Sequence, residues 1–303
     1  MSAAVVFPGQ GSQFVGMADA WADNEVGRAA LEEASAAIDR DIVRGCHEEA
    51  ALATTDFVQP AILACDVAAF RVLEGLGATF TGAAGHSLGE FAALVAAGVM
   101  SFAEALAIVV VRGRAMQEAG QERPGTMTAL LGVGSRDAGE LCDQARGNDV
   151  IVVANENSPQ QVVISGSISA IERAEALADE RRIRAVRLKV AGAFHSPLME
   201  PAVGPLTDAI DSATFAPPRF PVAANVTGEL EEDPHELRAL LKRHVVSPVR
   251  WERCAQALAG AGADTFVESG PGEVLTKLAK RVVPGTRAVA IGSPEAAAEF
   301  LTA

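Results

Sequence analysis

The stretch Gly85-His86-Ser87-Leu88-Gly89-Glu90 sets a serine where its hydroxyl can act as a nucleophile. Upstream, Ala78 to Ala84 is short, small and mostly apolar, suited to a buried strand. Downstream, Glu90 to Val99 is rich in Ala, Leu and Val and reads as a buried helix. A serine between such flanks, with glycines two residues away on each side, matches the nucleophile elbow of acyl-transferring and hydrolytic enzymes. The turn is sharp, and a side chain at either glycine would collide with the neighbouring strand or helix. The geometry lifts the hydroxyl out of the fold, and the amides that open the helix face incoming negative charge.

A free hydroxyl is a poor nucleophile at neutral pH, so Ser87 needs a base. Five histidines are available. His47 and His235 lie in acidic, polar stretches and face solvent. His86 adjoins the nucleophile, but neighbours at a tight elbow point apart, so it braces the turn. His244, in Lys242-Arg243-His244-Val245, suits a helix-end cap. His195, in the loop Ala191-Gly192-Ala193-Phe194-His195-Ser196-Pro197, is the best geometric candidate for the base. No acid stands out as a third member among Asp208, Asp211, Asp264 and Glu268, and orientation by a main-chain carbonyl would leave a Ser-His dyad. In Phe7-Pro8-Gly9-Gln10-Gly11-Ser12-Gln13 the glycines let the backbone approach a ligand closely, so the Gln10 amide could help bind an oxyanion, although in isolation an ordinary strand-to-helix turn is the favoured reading. Arg112 follows three valines and is unfavourable to bury unless paired with an anion. It reads either as a bidentate clamp for a substrate carboxylate or as a salt-bridge partner of Glu118.

These residues must be positioned by a sizeable scaffold. The 303 residues are 49% apolar and contain no tyrosine, so the core must be built from Ala, Val, Leu and Ile. No apolar run reaches the length that crosses a bilayer, and the N-terminus enters a strand without a basic leader, so a cytoplasmic protein is expected. Four separated cysteines lack metal-ligand spacing and read as reduced, packed thiols; no metal site is expected. A net charge of −14 argues against nucleic-acid binding. Five basic residues nevertheless crowd positions 181–189, and Lys277, Lys280 and Arg281 form a second group. Each balances nearby acids or offers an anionic partner a docking point.

Residues 126 to 191 follow a rhythm of their own: a strand, a helix at Arg136–Arg146, a hairpin of Val150–Asn155 and Gln161–Ser165, a helix at Ile168–Arg182 and a strand at Arg184–Val190. That order, β-α-β-β-α-β, is ferredoxin-like. The expected organisation is an α/β protein in which 125–192 is a small ferredoxin-like subdomain inserted into a large α/β-hydrolase-like subdomain formed by 1–124 and 193–303. The larger part alternates strands (Ala4–Phe7, Thr79–Ala84, Pro221–Asn225, Thr265–Glu268) with helices, which implies a mainly parallel sheet. Sites in such sheets gather at the C-terminal strand ends.

Taken in order, Phe7-Pro8-Gly9-Gln10-Gly11-Ser12-Gln13, Gln59-Pro60-Ala61, Gly85-His86-Ser87-Leu88-Gly89-Glu90, Arg112-Gly113, Asn157-Ser158-Pro159, Gly192-Ala193-Phe194-His195-Ser196, Ser247-Pro248-Val249-Arg250-Trp251 and Glu268-Ser269-Gly270-Pro271-Gly272 closely resemble the malonyl-CoA:acyl carrier protein transacylases and related acyltransferase domains of polyketide synthases. The resemblance implies a malonyl ester on Ser87, with His195 as base and then acid. It implies an oxyanion hole from the amides of Gln10 and Leu88, and Arg112 on the malonyl carboxylate. It implies a carbonyl in Arg243-His244-Val245-Val246 orienting the histidine, although relatives often carry glutamine at the position of His244. Asn157 belongs to the same local network, and Phe194 favours malonyl over branched extender units. No resident cofactor is implied: malonyl-CoA is substrate, and the acyl carrier protein brings its own phosphopantetheine. The family resemblance further suggests a monomer acting in fatty-acid or polyketide synthesis. The alternatives are transfer of another polyketide extender unit and serine acyl hydrolysis.

Overall fold

The segment Ala3–Phe7 has no polar position to offer solvent, and it forms a strand buried at every residue. The computed structural model describes residues 2–302. Its strands run β1 (Ala3–Phe7), β2 (Gly82–Gly85), β3 (Gly125–Leu131), β4 (Ile151–Ser158), β5 (Gln161–Ser167), β6 (Arg184–Arg187), β7 (Val222–Ala224), β8 (Glu229–Glu231), β9 (Thr265–Ser269) and β10 (Arg287–Ile291). They form two sheets, one ordered β10-β9-β1-β2-β7-β8 and one ordered β4-β5-β3-β6. The first is parallel except for the β7–β8 hairpin, and the second is antiparallel throughout. This is the α/β architecture expected, an α/β-hydrolase-like unit carrying a ferredoxin-like one.

Some expected strands are shorter than their sequences suggest, among them β7, which keeps only Val222–Ala224 of Pro221–Asn225. Pairing of β2 begins at Gly82, opposite Ala4, because β1 itself starts at Ala3 and leaves Thr79 and Phe80 without a neighbour to pair with. Strand β6 ends at Arg187, opposite Thr128. One further bond, Leu188 N–H to Met127 O at 2.9 Å, carries the chain on before it departs with Val190 to line the central cavity.

Helices cover the parallel sheet, and their starts are written locally. Phe102–Glu122 opens on a capping box in which Ser101 and Glu104 satisfy each other's backbone amides. Gly113 lets this helix approach the Thr55–Gly75 helix: a Cβ there would sit 2.8 Å from Thr55 O. The adjacent Arg112 is thereby driven into the interior at 1% exposure. The small sheet is tied to the rest of the fold along β4, where Glu156 N–H donates to Val249 O and Val249 N–H to Ala154 O, both at 2.8 Å, just before the Trp251–Gly260 helix. Arg250 adds an ion pair to Glu156 at 3.5 Å.

Candidate active site

At the end of β2 the chain reverses sharply into the Gly89–Ala96 helix, and the two glycines make the crossing possible. A Cβ on Gly85 would fall 1.8 Å from the carbonyl carbon of Gly89, and one on Gly89 would fall 2.1 Å from Phe7 O. Ser87 stands at the apex with φ +52°, in the left-handed region, a strain of about 1–3 kcal/mol that the surrounding structure must hold. Leu88 caps the helix behind it, so the amides that open the helix lie beside the serine. The loop after β1 packs directly on this elbow. A Cβ on Gly9 would meet His86 O at 2.2 Å and Leu88 N at 3.5 Å, so Gln10 sits at the same small opening.

His195 comes from the loop that follows the small sheet, itself in a left-handed conformation at φ +57°. Its Nδ1 faces two carbonyls, His244 O at 3.1 Å and Ser247 O at 3.0 Å. Carbonyls only accept, so Nδ1 carries the proton and Nε2 presents a lone pair. That lone pair lies 2.7 Å from Ser87 Oγ, which donates to it. Burial, then the nearby Arg112 charge, lower the His195 pKa to about 3, opposed by the two carbonyls. The imidazole is therefore neutral at physiological pH, as a base requires.

Arg112 does not pair with Glu118, which is exposed on the same helix. Its Nη1 donates to Gln59 Oε1 at 2.7 Å and its Nη2 to Ser87 Oγ at 3.1 Å. The buried Nε has no partner. Burial brings its pKa down to about 10, with the Glu90 charge acting the other way. A buried guanidinium with Nη2 on Ser87 Oγ and an unpartnered Nε has the paired donors that suit a carboxylate.

The remaining residues close the pocket. His86 turns away from Ser87, and its Nε2 meets Asn157 Oδ1 at 2.8 Å. Phe194, 6% exposed, lines a cavity of about 200 Å³ together with Met116, Met127, Val163 and Leu188. His47 pairs with Asp19 on the surface, and His235 is exposed. His244 is not a surface cap: it is 1% exposed, packed edge-on against the His195 ring. Arg187 in the basic run is held in a two-pronged pair by Glu175 at 2.9 and 2.5 Å.

Three residues take roles that the sequence reading did not assign. Gln59, which entered only within the matching segment Gln59-Pro60-Ala61, anchors Arg112. Glu90, which reads as an ordinary acid at a helix start, is buried at 1%, and burial pushes its pKa up to about 8. Asn225 ends an apolar strand 138 residues from Ser87, yet its Oδ1 accepts the Ser87 amide at 2.8 Å.

A serine hydroxyl bonded to a neutral imidazole, at the C-terminal edge of a mostly parallel sheet, defines the class of enzymes that carry acyl groups on a serine ester. The sequence profile of the acyl transferase domain family matches residues 4–296, and the chain belongs to that family. It is 41% identical to the malonyl CoA-acyl carrier protein transacylase of Escherichia coli O157:H7, over 98% of both chains. Its fold superposes with a TM-score of 0.95 on an acyl-carrier-protein S-malonyltransferase from Burkholderia pseudomallei 1710b, at 38% identity and full coverage of both. A malonyl-transacylase solved in complex with its type II PKS acyl-carrier protein is similar to the same degree, with a TM-score of 0.95 at 36% identity, covering 100% of this chain and 99% of that one.

Proposed function

We propose that the protein transfers a malonyl group from coenzyme A to the phosphopantetheine thiol of an acyl carrier protein through a malonyl ester on Ser87. The observation that carries the substrate assignment is the Nε–Nη2 edge of Arg112 beside the Ser87 hydroxyl, 3.1 Å from Nη2. A malonyl thioester bound there puts its free carboxylate on the guanidinium and its carbonyl carbon over Oγ. His195 Nε2 takes the serine proton as Oγ adds to that carbon. The tetrahedral oxyanion faces the Gln10 and Leu88 amides, a contact worth about 3–4 kcal/mol per donor. Collapse expels the CoA thiolate, which takes the proton from His195. The carrier thiol then repeats the sequence in reverse: His195 removes its proton, the sulfur attacks the ester, and Ser87 leaves with that proton.

Every bond formed replaces an equivalent acyl bond, so the transfer is redox-neutral and proton movement is supplied by His195. Asn157 contributes by bracing His86 beneath the elbow, and Phe194 narrows the space next to the acyl α-carbon. We read residues 125–192 as the small unit that covers the cleft and 1–124 with 193–303 as the catalytic unit. A cytoplasmic site of action is supported by four buried free thiols, and among the described residues no helix is long and apolar enough to cross a membrane.

The test is intact-protein mass spectrometry after brief exposure to malonyl-CoA, methylmalonyl-CoA or acetyl-CoA, followed by holo carrier protein. The expected result is a malonyl adduct that requires Ser87 and moves to the carrier. An adduct lost equally fast without carrier would make the protein a hydrolase, and a stronger methylmalonyl adduct would overturn the malonyl assignment.

A further inference from the structure

The left-handed serine must be held by something beyond its own turn, and Asn225 does so. This side chain, with no exposed surface, donates from Nδ2 to Gly85 O at 2.7 Å and accepts the Ser87 N–H on Oδ1 at 2.8 Å. It thus spans the elbow from the residue before His86 to the residue after it. Its own backbone N–H is fixed by Glu90 Oε2 at 3.0 Å.

Because Nδ2 is committed to Gly85, Oδ1 can be approached only by donors. The other group that approaches it is His244 Nε2, at 3.3 Å. The same nitrogen lies 3.4 Å from Glu90 Oε2. His244 therefore carries its proton on Nε2, and its buried Nδ1 has no partner. Burial, followed by the Arg112 charge, holds the His244 pKa well below the ordinary histidine value, so the ring stays neutral. Meanwhile the His244 main-chain carbonyl accepts from His195 Nδ1 at 3.1 Å. One residue thus touches the support of the nucleophile with its side chain and orients the base with its backbone.

We propose that the His244 side chain is a positioning residue, which through Asn225 keeps the Ser87 elbow in register with the base that its own carbonyl orients. The inference rests on Ser87 and His195 being the catalytic pair, and it adds a role for the imidazole where a carbonyl alone would serve the base. The energetic reason is that two strained turns, at Ser87 and His195, must face each other at 2.7 Å. A misplacement of about 1 Å in such a pair can lower the rate by about a hundredfold.

The experiment compares His244→Leu, His244→Gln, Asn225→Ala and the His244→Leu/Asn225→Ala double variant with the unaltered enzyme. Malonyl transfer and malonyl-CoA KM are measured, and thermal melting confirms folding. His244→Leu keeps the shape and removes the donor, so kcat should fall at least tenfold while KM stays within twofold. His244→Gln restores an amide donor and should recover kcat to within about threefold of the unaltered enzyme. The double variant should fall no further than Asn225→Ala alone, since both act through one link. A folded His244→Leu protein with unchanged kcat overturns the proposal, as do multiplying effects in the double variant or no recovery by Gln. Should Asn225→Ala not fold, the Leu and Gln pair at 244 still decides. Absence of malonyl transfer by the unaltered enzyme would instead refute the proposed function.

Discussion

Replacing Arg112 by alanine tests the substrate assignment most directly. The guanidinium is already anchored by Gln59 on Nη1, and its Nε–Nη2 edge faces the reacting oxygen. A malonyl carboxylate placed on that edge makes two charge-assisted hydrogen bonds, each worth about 1.5–3 kcal/mol. Their loss, about 3–6 kcal/mol, lowers kcat/KM for malonyl-CoA by about a hundredfold to ten-thousandfold at about 1.4 kcal/mol per tenfold. Truncation also leaves Gln59 and Glu90 without their cationic neighbour, but that penalty falls on every acyl donor alike. The informative quantity is therefore the ratio of kcat/KM for malonyl-CoA to that for acetyl-CoA, read by mass spectrometry of the carrier. That ratio should fall at least a hundredfold in Arg112→Ala. A second readout follows from charge: Arg112 is the second cause, after burial, of the low His195 pKa. Removing a cation makes the imidazole easier to protonate, so the acidic limb of kcat/KM should move upward from about 3. An unchanged malonyl-to-acetyl ratio would refute the carboxylate clamp whatever the absolute rates.

Three further outcomes follow. The Glu90 carboxyl is held at about 8 by burial, so the stability it lends is complete below about 4.5 and is lost as pH rises through 8; Glu90→Gln should flatten the decline of melting temperature between pH 5 and 9, and an unaltered slope would refute the shift. Gly85→Ala forces a Cβ to within 1.8 Å of backbone at Gly89, a clash relieved only by parting strand from helix, so urea titration should show a loss of more than about 3 kcal/mol or no folded protein. Reversing Arg182 and Lys189 to Glu should raise the carrier-protein KM at least threefold while sparing self-acylation by malonyl-CoA, whereas unchanged carrier kinetics would remove this face as a docking surface. Arg187 is left out of that pair because Glu175 holds it.

The elbow was legible because its chemistry is local: two glycines, a serine and two apolar flanks lie within about twenty residues. His195 followed by elimination, since the other histidines sat in polar stretches or beside the nucleophile. What escaped was whatever depends on distant segments meeting. Nothing in Ala223-Ala224-Asn225-Val226 announces that its amide spans a turn 138 residues earlier. His244 looked like the end of a surface helix because Lys242 and Arg243 precede it, yet the chain turns inward at that residue and buries it. The ferredoxin-like rhythm could be read from alternation, while strand ends could not: Thr79 lies unpaired because β1 starts at Ala3, and β6 stops at Arg187, short of Val190, because the chain turns away although β3 runs on to Gly125. Short strands such as β8, three residues in a hairpin, carry too few positions for any period to show.

The seam along β4 limits how the cleft can breathe. Val249 is stitched to β4 on one side, and Arg250 N–H to Asn225 O at 2.9 Å on the other, only two and three residues beyond the Ser247 carbonyl that steadies His195. The cavity beside the imidazole is lined by Gln10 and Gly11 of the loop after β1 and by Val274, Leu275 and Leu278 of the Val274–Val282 helix, which itself touches β4. Prying the small sheet away along β4 would pull the backstop away from the imidazole and disarm it.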